Sequence, residues 1–155
     1  MKATELMQKC LDRIARIERM QADYEAMEET MTSLAAATDQ TVRGALGDRF
    51  AAYAARRDDL KRAIKKEERL YAVEQVAIIL LTQDLPGRER DSLRLFYCKG
   101  RTAKEISAVP KMTCDVRTVE RYLQSGRAAM EKTPEWEVEC KLPRWYPIRE
   151  GRQEA

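Results

Sequence analysis

From Leu6 to Leu34 the apolar residues Leu6, Cys10, Ile14, Ile17, Met20, Tyr24, Met27, Met31 and Leu34 follow one another at steps of three or four, with charged residues between them. Steps of that size keep side chains on one stripe of a helix, so the spacing predicts an amphipathic helix over about 3–36. At about 1.5 Å rise per residue it is roughly 50 Å long. The stripe is narrow, and such a helix needs a second apolar surface to cover it.

That surface follows directly. Ala37-Thr38-Asp39-Gln40 offers a break at which Thr38 or Asp39 can cap a new helix. Val42, Leu46, Phe50, Tyr53, Leu60, Ile64 and Tyr71 then resume the spacing, which thickens into Val73, Val76, Ile79 and Leu80. Gly44 and Gly47 are poor helix formers and predict a frayed or displaced start. Two long helices with a short connection predict an antiparallel hairpin, coiled-coil-like, over 1–84. A parallel homodimer through either helix is the competing arrangement, because both seams also satisfy a loose heptad rule. Aromatic residues make up 6% and charged residues 35% of the chain, which disfavours a large globular core and fits an extended all-α protein. The charge run Asp58–Arg69 mixes both signs at helix-surface spacing, so a solvated face accounts for it better than a binding site does.

Thr82-Gln83-Asp84-Leu85-Pro86 ends the second helix, since proline disfavours helix in the residue before it. Over 85–132 the sequence predicts three short helices. The first runs from about Gly87 to Cys98, with Leu93, Phe96 and Tyr97 as core contacts and Gly100 as its terminator. The second opens on Thr102-Ala103-Lys104-Glu105, the form of a capping box, and must stop near Val109 because Pro110 follows. A turn from Pro110 to Cys114 leads to the third, capped by Asp115 and carrying Val116, Val119, Leu123, Gly126 and Met130 as its buried stripe. The opposite face of this helix, about 115–130, carries Arg117, Thr118, Glu120, Arg121, Gln124 and Arg127. Helix, turn and basic helix in this order predict a helix-turn-helix DNA-binding domain.

Charge agrees with that placement. Residues 85–132 hold eleven Lys and Arg against six Asp and Glu, whereas 1–84 hold fourteen against fifteen and 133–155 four against five. The whole basic excess of the chain, net +3, therefore lies where a polyanion would be met. Arg117, Arg121 and Gln124 are placed to reach base edges in a major groove, Arg127, Lys104 and Lys111 to hold phosphates of double-stranded DNA, and Thr118 shares this DNA-binding face.

The tail 133–155 is interrupted by Pro134, Pro143 and Pro147 and is expected to be irregular. Trp136, Trp145, Tyr146, Leu142 and Ile148 are expected to pack back onto the body, and the last few residues to be disordered. Cys10, Cys98, Cys114 and Cys140 are scattered, and there is no histidine, which argues against a zinc site and for buried or partly buried free thiols in a reducing cytoplasm. No secretory signal and no apolar run long enough for a membrane span occur, so a cytoplasmic protein is expected, with no membrane partner. An enzyme is not expected: there is no histidine base, no glycine-rich phosphate loop and no cysteine beside a base, and no cofactor is implied.

Leu85-Pro86, Arg88-Glu89-Arg90, Leu93-Arg94-Leu95, Tyr97, Gly100, Glu105-Ile106, Thr118-Val119 and Arg127-Ala128 together resemble region four of sigma-70-type transcription factors. In that family these residues build a helix-turn-helix whose last helix enters the major groove at a promoter. The interval from Ile106 to Thr118 is longer than in the family pattern, the excess falling in the turn. No counterpart of the region that reads the other promoter element and melts DNA is present. A helical arm followed by a terminal module of this kind is similar to the ArpU/RinA-like late-gene regulators of phages and prophages of Gram-positive bacteria. The resemblance implies a phage-type transcription regulator in a bacterial host cytoplasm. The alternative is an adaptor that docks on RNA polymerase or another regulator through the arm and the sigma-four-like module.

Overall fold

The computed structural model describes residues 1–37 and 43–148, with the side chains of residues 37 and 43–46 excepted. The expected break with Thr38 or Asp39 as cap, Val42, the side chain of Leu46 and the terminal residues 149–155 lie outside the described residues. The chain is all-helical, with no strand among the described residues. Its elements are α1 (Ala3–Ala37), α2 (Arg43–Leu81), α3 (Gly87–Leu93) continued by a π-helical turn (Arg94–Cys98), α4 (Ala103–Ser107), α5 (Val116–Glu131) and α6 (Glu135–Cys140). The glycines near the start of α2 do not displace it, since the helix already begins at Arg43. Among the described residues no helix is long and apolar enough to cross a membrane.

By packing, the chain forms two compact units, Met1–Ile14 with Leu70–Ala155, and Ala15–Arg69. These units cut both long helices and so differ from a division by sequence character at 84 and 132. In the unit Ala15–Arg69, Ile17, Met31 and Ile64 are buried. Arg16 pairs with Glu67 at 3.4 Å and Arg57 with Glu28 at 3.9 Å, so partner numbers fall as residue numbers rise and the two segments run in opposite directions through these pairs. Exposed pairs of this kind contribute little to stability.

The larger unit holds the main core. Leu6, Met7 and Cys10 of α1, Ala77 and Ile78 of α2, Leu93, Ile106, Met112, Val119 and Val138 are almost fully buried. Each large aliphatic side chain removed from water contributes about 1.5–3 kcal/mol. Two charged residues sit within this seam. Arg13 is 9% exposed and Glu74 is 0% exposed. The Arg13 Nε donates to both carboxylate oxygens of Glu74 at 2.9 and 3.0 Å, and its Nη2 lies 2.8 Å from Oε1. The Tyr146 hydroxyl donates to the same carboxylate at 2.6 Å.

Several expectations are corrected here. Val76, Ile79 and Leu80 are 55%, 37% and 39% exposed, because the buried face of α2 passes through Leu70, Glu74, Ala77 and Ile78 instead. The tail is not irregular throughout: Pro134, in extended conformation, starts α6, where a missing N–H costs nothing. Val138, Leu142 and Tyr146 are buried in the core and Ile148 packs half-buried against it, as expected, whereas Trp136 is 67% and Trp145 46% exposed. The free thiols of Cys10 and Cys98 are buried and Cys114 is half-buried, but Cys140 is exposed.

α3 crosses α5 closely at Gly126. A Cβ there would stand 2.7 Å from Cδ1 and 2.9 Å from Cγ of Leu93, which is fully buried. Gly126→Ala gains about 1 kcal/mol of helix propensity and loses about 1–3 kcal/mol to overpacking. The expected result is a net loss of up to about 2 kcal/mol in chemical denaturation; an unchanged midpoint would show that Leu93 yields freely.

Burial, with the Glu74 carboxylate beside it, pushes the Tyr146 phenol well above its ordinary value. The unfolded chain releases that proton near pH 10, roughly, while the folded chain keeps it. The contribution is therefore complete below that pH and is lost as pH rises further. Stability measured by urea titration should fall through this alkaline range, and Tyr146→Phe should flatten the fall while lowering stability at neutral pH by about 1–3 kcal/mol.

Candidate nucleic-acid interface

α5 is started by Asp115, whose extended backbone and carboxylate cap the helix. Its Oδ1 accepts from the Thr118 amide at 2.8 Å and from the Thr118 hydroxyl at 2.7 Å. These hydrogen bonds, with smaller help from Arg121 and Arg117, hold the Asp115 carboxyl below the usual carboxylate range. Val119, Leu123, Gly126 and Met130 form the buried stripe as expected. Val116 does not belong to it, being 37% exposed at the first helical position.

With that stripe buried, Arg117, Glu120, Arg121 and Gln124 are exposed on the other side of α5. The structure brings these together on one helix face. Thr118 is half-buried and its hydroxyl is committed to Asp115, so its part is to fix the helix start. Arg127 is also half-buried. Its Nε donates to the Tyr97 hydroxyl, and its guanidinium lies 5.4 Å from the Phe96 ring centroid and 5.5 Å from that of Tyr97. The two rings meet edge to face at 4.9 Å, so Arg127 closes an aromatic cluster on the π-helical turn that continues α3.

α4 begins at Thr102, whose hydroxyl accepts from the Glu105 amide at 3.2 Å. The same hydroxyl lies 3.2 Å from the Glu105 carboxylate, which accepts from it. Lys104 on α4 and Lys111 in the following turn are exposed. That turn is anchored. The Met112 side chain is 1% exposed, and Arg88 Nη1 donates to the Met112 carbonyl at 2.8 Å. Thr113 beside it takes φ 39°, a left-handed conformation uncommon for a β-branched residue.

Sequence reasoning did not single out Arg88 as a brace of this turn, nor Glu89, which accepts from the Ser125 hydroxyl at 2.9 Å. Arg94 was likewise missed. It donates to the Thr82 hydroxyl at 3.0 Å and to the Ile79 carbonyl at 2.8 Å, closing the end of α2 with a cation where the helix dipole favours one. All three are in the motif string of α3, but no spacing rule distinguishes a bracing arginine from a solvated one.

The π-helical turn ends at Gly100, with φ 67°. The Gly100 amide donates to the Phe96 carbonyl, the bond of an αL glycine cap, and the Arg101 amide reaches back to the Leu95 carbonyl, one residue wider than the Schellman bond. Among the described residues no three His, Cys, Asp or Glu side chains come together to hold a metal ion. No protein-family profile, curated protein or solved structure matches the chain.

The cap on α5 sets a pH dependence. A carboxyl held below its ordinary value gives stability that is present above the usual carboxylate range and lost as pH falls through the lowered value. Thermal unfolding followed from neutral into acid solution should show Asp115→Asn with a flatter acid limb than the parent, and Asp115→Ala destabilised at all pH. Equal acid limbs in the parent and Asp115→Asn would remove Asp115 from the acid transition.

Proposed function

We propose that the chain is a sequence-specific double-stranded DNA-binding transcription regulator of phage type. Residues 1–84 act as an antiparallel helical-hairpin arm, and 85–132 as a sigma-four-like helix-turn-helix whose recognition helix α5 lies in the major groove. One observation carries the proposal: Arg117, Arg121 and Gln124 are exposed together on the face of α5 opposite its buried stripe, within the segment that holds the chain's basic excess. Arginine and glutamine are long enough, and have the donor pattern, to read guanine and adenine edges. Lys104 and Lys111, exposed on α4 and the turn, are the phosphate contacts. Arg127 keeps the aromatic cluster behind α5 in place, with any phosphate contact secondary.

A second function, docking on RNA polymerase or another regulator, is favoured by Trp136, which is 67% exposed on α6. Large exposed aromatics are characteristic anchors of protein interfaces.

Selection from random duplexes should yield a preferred site. Arg117→Ala and Arg121→Ala should each weaken binding to it by about 1–3 kcal/mol and relax one base position, whereas Lys104→Ala or Lys111→Ala should weaken all sequences alike and lower the salt slope by about one. Selected-site affinity unaffected by both arginine substitutions would rule out α5 as the reading helix. Retention of a purified polymerase by the intact chain, lost in Trp136→Ala, with no duplex bound, would establish the second function instead.

A further inference from the structure

The unit Ala15–Arg69 carries a groove of about 390 Å³ that the DNA-binding proposal does not use. It is lined by Thr30 and Leu34 of α1 and by Arg49, Ala52, Tyr53 and Arg56 of α2. Its size lies within the range of small recognition pockets. Arg49 and Arg56 are exposed, and Tyr53 lies half-buried between them. Among the described residues neither of these arginines makes an ion pair, whereas Arg16, Arg57 and Arg62 nearby do. Seven residues separate the two, which is about 10 Å along the helix. Thr30 donates its hydroxyl to the Ala26 carbonyl at 2.9 Å. Phe50, one turn before Tyr53, is 40% exposed.

We propose that this groove is a docking site for an acidic amphipathic helix of a partner protein, with a carboxylate on each of Arg49 and Arg56 and an apolar side chain between them against Tyr53 and Leu34. The argument is one of complementary charge and spacing. A helix laid along α2 places side chains seven residues apart at the same separation of about 10 Å, with the positions three or four residues on facing the space between. A guanidinium binds a carboxylate through two parallel N–H donors, which fixes orientation as well as supplying attraction.

Two other occupants fit less well. Residues 15–69 hold eleven Lys and Arg and eleven Asp and Glu, so this unit offers no net positive field to draw in duplex DNA. A second copy could offer Glu25, Glu28 and Glu29, which with Thr32 and Ser33 line a separate surface. On the helical wheel of α1 that face points nearly opposite to Thr30 and Leu34, so self-association would be head-to-tail and would not close into a dimer.

The test uses the full chain and a fluorescein-labelled helical peptide with two glutamates seven residues apart and leucine between them on the same face, otherwise alanine and glutamine. Anisotropy should show saturable binding at low salt that weakens with added salt. The matched peptide with glutamine at both acidic positions loses both charge-assisted contacts and should bind roughly a hundredfold more weakly, whereas Arg49→Gln or Arg56→Gln, each losing one, should bind the glutamate peptide about tenfold more weakly. Both substitutions are at exposed helix positions, and unchanged far-ultraviolet circular dichroism verifies that the variants fold. Equal binding of the two peptides, or variants that bind the glutamate peptide like the parent, overturns the proposal. So does a random-sequence duplex whose binding, and not that of the peptide, is lost when Arg49→Gln and Arg56→Gln are combined, which assigns the groove to nucleic acid. Peptide binding that persists in Arg117→Ala and Arg121→Ala keeps this result separate from the fate of the DNA-binding proposal.

Discussion

The buried contact of Arg13 with Glu74, joined by Tyr146, ties together three stretches that lie far apart in sequence: the first helix, the end of the second and the C-terminal tail. An ionised carboxylate with no exposed surface is costly unless every oxygen finds a donor, and here a guanidinium and a phenol supply them. Such a pair adds little net stability compared with well-packed apolar residues, because desolvation offsets most of the attraction. Its effect is on register. A slip of α1 against the end of α2 by one turn would keep apolar residues in contact but leave the Glu74 carboxylate buried without its guanidinium. The same reasoning places the tail, since Tyr146 reaches Glu74 only when Val138 and Leu142 are also seated in the core.

That contact also explains where sequence reasoning succeeded and where it did not. The two long helices are legible because three-four spacing survives a local error of phase, and the starts at Thr102 and Asp115 and the stop at Gly100 are legible because each is a local hydrogen-bonding or backbone requirement. The burial of Glu74 is not. Ranking side chains by apolarity selects Val76, Ile79 and Leu80 over Glu74 and Ala77, which turns the predicted face of α2 away from the true one. Only knowledge of Arg13, 61 positions away, reverses that ranking. In the tail the prolines read as interruptions of helix, but Pro134 starts a helix, and between it and Pro143 there is room for α6.

The candidate interface was legible to a comparable extent. Subtracting the buried stripe of α5 leaves Arg117, Arg121 and Gln124 outward, and this needs only helical periodicity. Arg127 could not be placed that way. It stands next to the stripe, and what draws it inward is the pair Phe96 and Tyr97 on another helix, about thirty residues earlier. The close approach of α3 to α5 at Gly126 sets this geometry, because a bulkier residue would hold the aromatic pair farther from the Arg127 guanidinium.

The connection between α4 and α5 is where a loop could loosen the relation between two helices. A loop grows costly in entropy only slowly with added residues, so length alone does not decide the matter. Anchorage does. Met112 puts its side chain into the core, its amide donates to the Val109 carbonyl at 3.0 Å, and its own carbonyl is held by Arg88. With Met112 fixed from three directions and Asp115 already committed to capping α5, only Thr113 and Cys114 remain to join them, and the left-handed φ of Thr113 follows from that short span. The start of α5 is thus positioned by the core and by α3, not by the length of the turn.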